Sequence, residues 1–488
     1  MVGEEGESRL MKNIVVFALN NNYSREALLA LQRDKFISIK EWLGDDNGSG
    51  VITFDYANFF TVNKVKAYYG VCDSEIYEKV YKNLYMFVDT FARTGAWPIY
   101  EAVNIFNMLV NFFYTMFKNN EIEVIIWGDI PHFGLDYLAR EVADAMGIKT
   151  VMLIQSFYPN KFFAILDIDD IGYFDRLKNG ETYLNVSLEN KFKNEIVIAD
   201  HEINDKSVKS VRKNINEVAE NSVINYISNF KKSIREIKTP IVSTENFNNK
   251  DLLDEKKIGL FYSIFKPFQH LYCEGKYQIN VQKYVQTEID LTFNYVYFPL
   301  HLQPELSTSV LGGVYCDQLL ALERLSRLIP SAWKIYVKEH PMQTYYMRET
   351  NFFRRLSLIP NVVFVDKKYD TYDLIENSRF VATITGSAGW EAICGGKNTL
   401  VFGKAWYKLM PGVFEYSDSL ELEEILTYKI NHSELEEKYS QLIGKAYDGY
   451  ITGIYYGNGL SNSDEYAYSD EKNNLLLYDA FKKIFEKI

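Results

Sequence analysis

The sequence predicts an α/β protein built from two Rossmann-type doubly wound domains that face a central cleft. Three observations carry that expectation. Short apolar runs of buried-strand type recur in both halves of the chain, helical periodicities separate them, and polar or glycine-containing turns follow the strands. At about 150 residues per domain, 488 residues hold roughly three domains or two large ones.

The first strand is Ile14-Val15-Val16-Phe17-Ala18-Leu19, a continuous apolar run of the parallel-sheet kind. Asn20-Asn21-Asn22 break it, and Ser24 is a fair N-cap for a helix over 25–33. A fuller βαβ unit follows. Val124-Ile125-Ile126-Trp127 is a strand and Gly128-Asp129-Ile130-Pro131-His132 a turn. Leu135, Leu138, Ala139, Val142 and Met146 then recur at helical spacing up to Gly147, and Thr150-Val151-Met152-Leu153-Ile154 is the next strand. So short a crossover implies parallel pairing. Residues 183–257 turn polar, with Val211, Ile215, Val218, Val223, Ile227 and Phe230 at helical intervals, which reads as a helical insertion.

A second α/β block begins near Asn294. Its strands are Tyr295-Val296-Tyr297-Phe298, Lys334-Ile335-Tyr336-Val337-Lys338, Asn361-Val362-Val363-Phe364-Val365, Phe380-Val381-Ala382-Thr383-Ile384 and, as the last, Thr399-Leu400-Val401-Phe402. Helices are expected near 319–328, 373–378 and 390–394, and an amphipathic helix over 469–488 presents Leu477, Phe481, Ile484 and Phe485 on one face. The division expected from this is an N-terminal Rossmann-like domain over 1–255, a linker over 256–293, a C-terminal Rossmann-like domain over 294–425, and helices over 426–488 that pack back across the junction.

Composition narrows the function. Fifty-three Lys and Arg against 65 Asp and Glu give a formal charge of −12, which argues against a nucleic-acid binder. Cys72, Cys273, Cys316 and Cys394 are scattered without a CxxC pair, which fits the cytoplasm rather than a zinc ribbon or a disulfide framework. The apolar stretch around 105–117 is too short and too interrupted by Asn for a bilayer span. Attachment to the inner face of a membrane stays open. Aromatics make up 15% of the chain, which reads as a bulky core before it reads as stacking platforms.

The turns after strands carry the chemistry. In Thr385-Gly386-Ser387-Ala388-Gly389-Trp390-Glu391 an apolar strand stops and a helix starts. Gly386 lets backbone approach a ligand, the free N–H groups and the dipole favour phosphate, Ser387 offers a hydroxyl, and Glu391 stands one turn on for ribose hydroxyls. An ordinary N-cap and a dipole-matching acid read equally well there. Lys338-Glu339-His340-Pro341 ends another strand, so His340 points toward the cleft, either to a phosphate or back to its own loop. Lys338 adds a charge that strand alternation can turn away. Gln303-Pro304-Glu305, with Ser307 and Thr308, offers groups that read a base or sugar edge, or simply a rigid polar turn. From the N-terminal half, Asp129 is a candidate general base with His132 as its partner. Asp45-Asp46-Asn47-Gly48 is a second acidic turn. Neither a P-loop, a GxGxxG fingerprint nor an HExxH motif occurs, and no metal site is expected.

Read together, His301-Leu302-Gln303-Pro304-Glu305, Lys338-Glu339-His340-Pro341, Thr385-Gly386-Ser387-Ala388-Gly389-Trp390-Glu391-Ala392 and Gly403-Lys404-Ala405-Trp406-Tyr407 resemble the bacterial capsular polysaccharide biosynthesis family. That family includes Kdo transferases and is more distantly similar to bacterial sialyltransferases. The resemblance implies a GT-B-like fold whose C-terminal domain binds a nucleotide sugar, CMP- or UDP-linked, with the His-Pro pair tilting toward CMP. It implies that His340 and Ser387 contact the donor phosphate, that Glu391 takes the ribose, and that Gln303 or Glu305 lies near the donor. Lys338, Gly386 and Lys404 complete the donor-binding set. Asp129, His132 and His340 form the catalytic set, with no metal and no cofactor. The expected activity is glycosyl transfer to a glycan or glycolipid precursor of a surface polysaccharide. A non-hydrolysing sugar-nucleotide epimerase and a non-catalytic polysaccharide-binding protein are the alternatives.

Overall fold

The structure, a computed structural model, describes residues 11–19, 21–43, 62–91, 99–156, 158, 160–180, 188, 260–451 and 468–488. Asn20, the acidic turn at 45–48 and the polar stretch 183–257, Leu188 excepted, lie outside the described residues.

Two mixed α/β units form, each around a sheet of mostly parallel strands. The first contains β1 (Lys12–Phe17), β2 (Ile37–Leu43), β3 (Val124–Trp127), β4 (Lys149–Gln155) and β5 (Lys161–Ile165). The second contains β6 (Tyr295–Pro299), β7 (Lys334–Lys338), β8 (Val362–Val365), β9 (Phe380–Thr383), β10 (Thr399–Val401) and β11 (Val413–Glu415). The chain then returns to the first sheet as β12 (Tyr447–Asp448). The orders are β12-β5-β4-β3-β1-β2 and β11-β10-β9-β6-β7-β8. Pairing is parallel except where β5 meets β4 and β12. The architecture is GT-B-like: two doubly wound sheets with a cleft between their carboxyl ends.

Both sheets are buried on both faces, which is why their strands read as unbroken apolar runs. Side chains alternate across the pleat. Val15 and Phe17 join the core beneath helices Ile99–Asn119 and Gly134–Met146, while Ile14 and Val16 join the core on the opposite face. There helix Asn22–Arg33 and the C-terminal helix Asp470–Lys487 pack together, the latter inserting Leu477, Phe481, Ile484 and Phe485. In the second sheet Val296 and Phe298 point one way, Tyr295 and Tyr297 the other. These tyrosines are fully buried, and the Tyr295 hydroxyl donates to the Leu374 carbonyl at 2.8 Å. Much of the aromatic load is therefore core.

Local details differ from the sequence reading. Helix Asn22–Arg33 is capped by Asn21, whose side chain accepts from the Ser24 N–H at 2.8 Å, so Ser24 sits inside the first turn. Thr399–Val401 is not the last strand, because β11 and β12 follow it. The stretch read as a linker contains helix Leu260–Tyr284. Gly147 does adopt the left-handed conformation of a helix end, at φ 76°.

The strand orders fix where a ligand goes. In the first sheet the chain winds outward from β1 to β2, then restarts on the other side at β3. In the second it winds from β6 through β8, then restarts at β9. Each reversal opens a crevice at the strands' carboxyl ends. The loops at those crevices begin at Gly128 after β3, at Leu300 after β6 and at Ile384 after β9. At Gly128 the backbones come so close that a Cβ would lie 2.8 Å from the Ala18 carbonyl oxygen.

Candidate functional site

A cavity of about 540 Å³ lies between the two switch points. Gly128, Asp129, Gln155 and Ser156 line it from the first domain. His301, Glu305, His340, Gly386, Ser387 and Lys404 line it from the second. Phe163, Phe174 and Trp406 give it an aromatic wall.

Helix Ser387–Cys394 starts at the cavity because β9 ends there and Gly386 turns the chain. A Cβ on Gly386 would stand 2.9 Å from His301 Cε1 and 2.9 Å from Thr383 Oγ1, so a larger residue would push the helix start away. Gly386 itself is fixed at both ends: its N–H donates to Thr383 Oγ1 at 3.2 Å, and its carbonyl accepts from the Tyr407 hydroxyl at 2.5 Å. The N-cap has no side-chain bond, and the amides of Ser387 and Ala388 find no acceptor among the described residues. Such open amides at the positive end of a helix suit an anion. The Ser387 side chain is exposed beside them.

His340 follows β7 and faces the same space. Its Nδ1 accepts from the Met342 N–H at 3.3 Å, so the neutral ring carries its proton on Nε2, a donor for the cavity. Burial pushes this imidazole below its ordinary value, which Glu305 opposes and Arg348 reinforces. Glu305 accepts from the Ser307 N–H at 3.0 Å and from its hydroxyl at 2.5 Å. A carboxylate here suits sugar hydroxyls rather than phosphate. Lys404 pairs with Asp169 of the first domain at 2.7 Å, and that bond raises the lysine and lowers the aspartate. Asp129, across the cavity, accepts from the Ile130 N–H at 2.7 Å.

Four sequence candidates do not line the cavity. Strand alternation turns Lys338 away, and its Nζ donates to the Tyr369 carbonyl at 2.6 Å and to Thr371 Oγ1 at 2.9 Å. Gln303 is buried, with its amide nitrogen on the Cys316 carbonyl at 2.6 Å and its amide oxygen taken by Gln318 and Arg348, each at 2.7 Å. Glu391 faces the core, 4% exposed, where its charge adds to burial in pushing Tyr297 and Tyr407 up. His132 folds back on its own turn, Nδ1–H donating to the Ile130 carbonyl at 2.6 Å, and is buried. Asp129, Glu305, His340, Gly386, Ser387 and Lys404 do converge.

Beneath the cavity lies a polar network that sequence reasoning missed. Arg348, 1% exposed, grips Glu339 with Nε at 2.9 Å and Nη2 at 3.3 Å. It also reaches the His301 carbonyl at 3.2 Å. Gln343 accepts from the Gln303 N–H at 2.8 Å. These bonds tie the loop after β6 to the loop after β7. His301 had a visible signal, since it follows an apolar strand as His340 does. Arg348 had none, because its partners are remote in sequence.

Fold and cavity define a two-domain α/β protein of GT-B-like type with an anion-suited interdomain site. Residues 279–432, which span the four runs at 301–305, 338–341, 385–392 and 403–407, match the family model described as capsule polysaccharide biosynthesis protein. No curated protein matches the chain. Among solved structures, the β-Kdo 2,7-transferase KpsC of Thermosulfurimonas dismutans is 14% identical over 43% of this chain and 61% of its own, at a TM-score of 0.25. The β-Kdo 2,4-transferase KpsC of the same organism is 11% identical over 67% and 79%, at 0.27. The UDP-GlcNAc 2-epimerase of Methanocaldococcus jannaschii is 10% identical over 89% and 92%, at 0.22. The chain thus spans about three fifths of the first of these. At such scores the likenesses carry no weight, and the fold rests on the two sheets. Among the described residues, no helix is long and apolar enough to cross a membrane.

Proposed function

We propose that the protein is a glycosyltransferase that moves a sugar from a CMP- or UDP-linked donor to a glycan or glycolipid precursor of a bacterial surface polysaccharide, at the cytoplasmic side of the membrane. One observation carries the reading. The open start of helix Ser387–Cys394 and the Nε2 donor of His340 meet Asp129 in a single interdomain cavity. In this reading the Ser387 and Ala388 amides, the Ser387 hydroxyl and His340 hold the phosphate of the leaving nucleotide, and they hold it better as negative charge builds on it. Glu305 receives sugar hydroxyls. Asp129 orients the acceptor hydroxyl and takes its proton as the new glycosidic bond forms. Closure of the domains, bridged already by Lys404 and Asp169, excludes water.

Calorimetric titration of the full chain with CMP, UDP and GDP tests the reading. One base should bind at a single site, and binding of none would overturn it. Asp129→Asn should keep nucleotide affinity while lowering transfer by about 10²–10⁴-fold. Undiminished transfer would remove Asp129 from its role. Conversion of a nucleotide sugar with no acceptor present would mark an epimerase instead.

A further inference from the structure

We propose that His301 is a further ligand-contacting residue of this cavity, a neutral imidazole whose Nδ1–H donates to a phosphate oxygen, with Thr383 as the residue that positions it. The inference rests on the nucleotide-sugar reading above.

The backbone of His301 cannot move freely. Its N–H donates to Gln318 Oε1 at 2.8 Å, and its carbonyl accepts from Gln318 Nε2 at 3.1 Å and from Arg348. The ring lines the cavity and lies against Gly386, at the start of the phosphate-suited helix. Its Nε2 is 2.8 Å from Thr383 Oγ1.

The proton positions follow from counting donors. Thr383 is fully buried. Its Oγ1 already accepts from the Gly386 N–H, and its own hydroxyl proton has a single acceptor among the described residues, His301 Nε2. Were Nε2 protonated, that hydroxyl proton would be stranded in the core, an unfavourable arrangement. Thr383 therefore donates to Nε2, and the ring proton sits on Nδ1. Nδ1 has no partner among the described residues, while the ring borders the cavity. Burial pushes the imidazole down to about 4, with Glu305 opposing and His340 and Arg348 reinforcing. The ring is neutral at pH 7, so Nε2 remains an acceptor. His301 Nδ1–H, His340 Nε2–H and the two helix amides, all uncharged in the ligand-free protein, then form an array of donors for one anion. Lys404, held by Asp169, stands beside them.

Two measurements test this. Nitrogen-detected NMR of the histidine-labelled wild-type protein reads the tautomer without ligand. His301 should be the Nδ1–H form from about pH 6 to about pH 8, and Thr383→Val should let the Nε2–H form appear. An Nε2–H ring in the wild type would overturn the proposal. The second is titration of variants with whichever of CMP, UDP or GDP the wild type binds. Gln places its amide oxygen near Nε2, so His301→Gln keeps the Thr383 bond and loses the donor. Asn places its amide nitrogen near Nδ1. His301→Gln should weaken binding by about tenfold or more, and His301→Asn should recover part of that loss. A purely structural role predicts the reverse order. Equal affinity of His301→Gln and wild type would reject His301 and leave the nucleotide-sugar reading standing. No nucleotide binding by the wild type would remove both.

Discussion

His340→Ala should lower glycosyl transfer by about 10²–10³-fold while the protein unfolds at an unchanged temperature. The ring is half-buried at a loop and, among the described residues, bonds only locally, through Nδ1 to the Met342 N–H, so its loss strands no long-range partner there. In the proposed mechanism, what disappears is a donor at the leaving phosphate. Ser387→Ala should act in the same direction more weakly, because the backbone amides of Ser387 and Ala388 survive the change. The pH dependence has a definite sign. Burial keeps the free imidazole neutral at pH 7, and a bound phosphate favours its protonated form. Binding therefore takes up a proton, and affinity for a nucleotide sugar, whose phosphodiester does not titrate in this range, should rise as pH falls from about 7.5 to about 5.5. His340→Gln should flatten that slope. Normal turnover in His340→Ala together with Ser387→Ala would reject the site.

Arg348→Ala should destabilise the fold by about 3–5 kcal/mol, read as a loss of denaturation midpoint. The guanidinium is buried, and its two-point grip on Glu339 is the counter-charge for that carboxylate, itself 7% exposed. Removing one partner of a buried pair leaves the other charge uncompensated, which costs more than the pair contributes. Arg348 also bonds Gln303 and the His301 carbonyl, so the loops after β6 and β7 should loosen together. Glu339→Gln added to Arg348→Ala should recover part of the loss, because it removes the stranded charge. A double variant no more stable than Arg348→Ala would assign the effect to packing against Phe352, whose ring centre lies 4.4 Å from the guanidinium carbon.

The fold was legible where physics is local. β1, β3, β6 and β9 announce themselves because sheets buried on both faces need unbroken apolar runs, and the turns that follow them are where a doubly wound sheet binds ligands. That logic brought Asp129, His340, Gly386 and Ser387 to one cavity from stretches far apart in sequence. It failed where direction is set by something remote. Lys338 sits at the right strand end but on the wrong side of the pleat. Gln303 is two residues from the cavity-lining Glu305, yet three side chains and a carbonyl hold it inward. Glu391 is one turn into the right helix but on its core-facing side. The antiparallel edge made by β5 and β12 escaped notice because Tyr447–Asp448 is too short to show a period. The buried tyrosines of β6 resolve the aromatic excess, which composition left open.

In the proposed function the facing switch points grip the phosphate of an activated sugar. Determining the structure of the full chain with its nucleotide bound tests this most directly. The phosphate should lie within hydrogen-bond distance of the Ser387 and Ala388 amides and of His340 Nε2, with the sugar side toward Asp129. A nucleotide seated elsewhere, with the space between Gly386 and Asp129 empty, would contradict that placement.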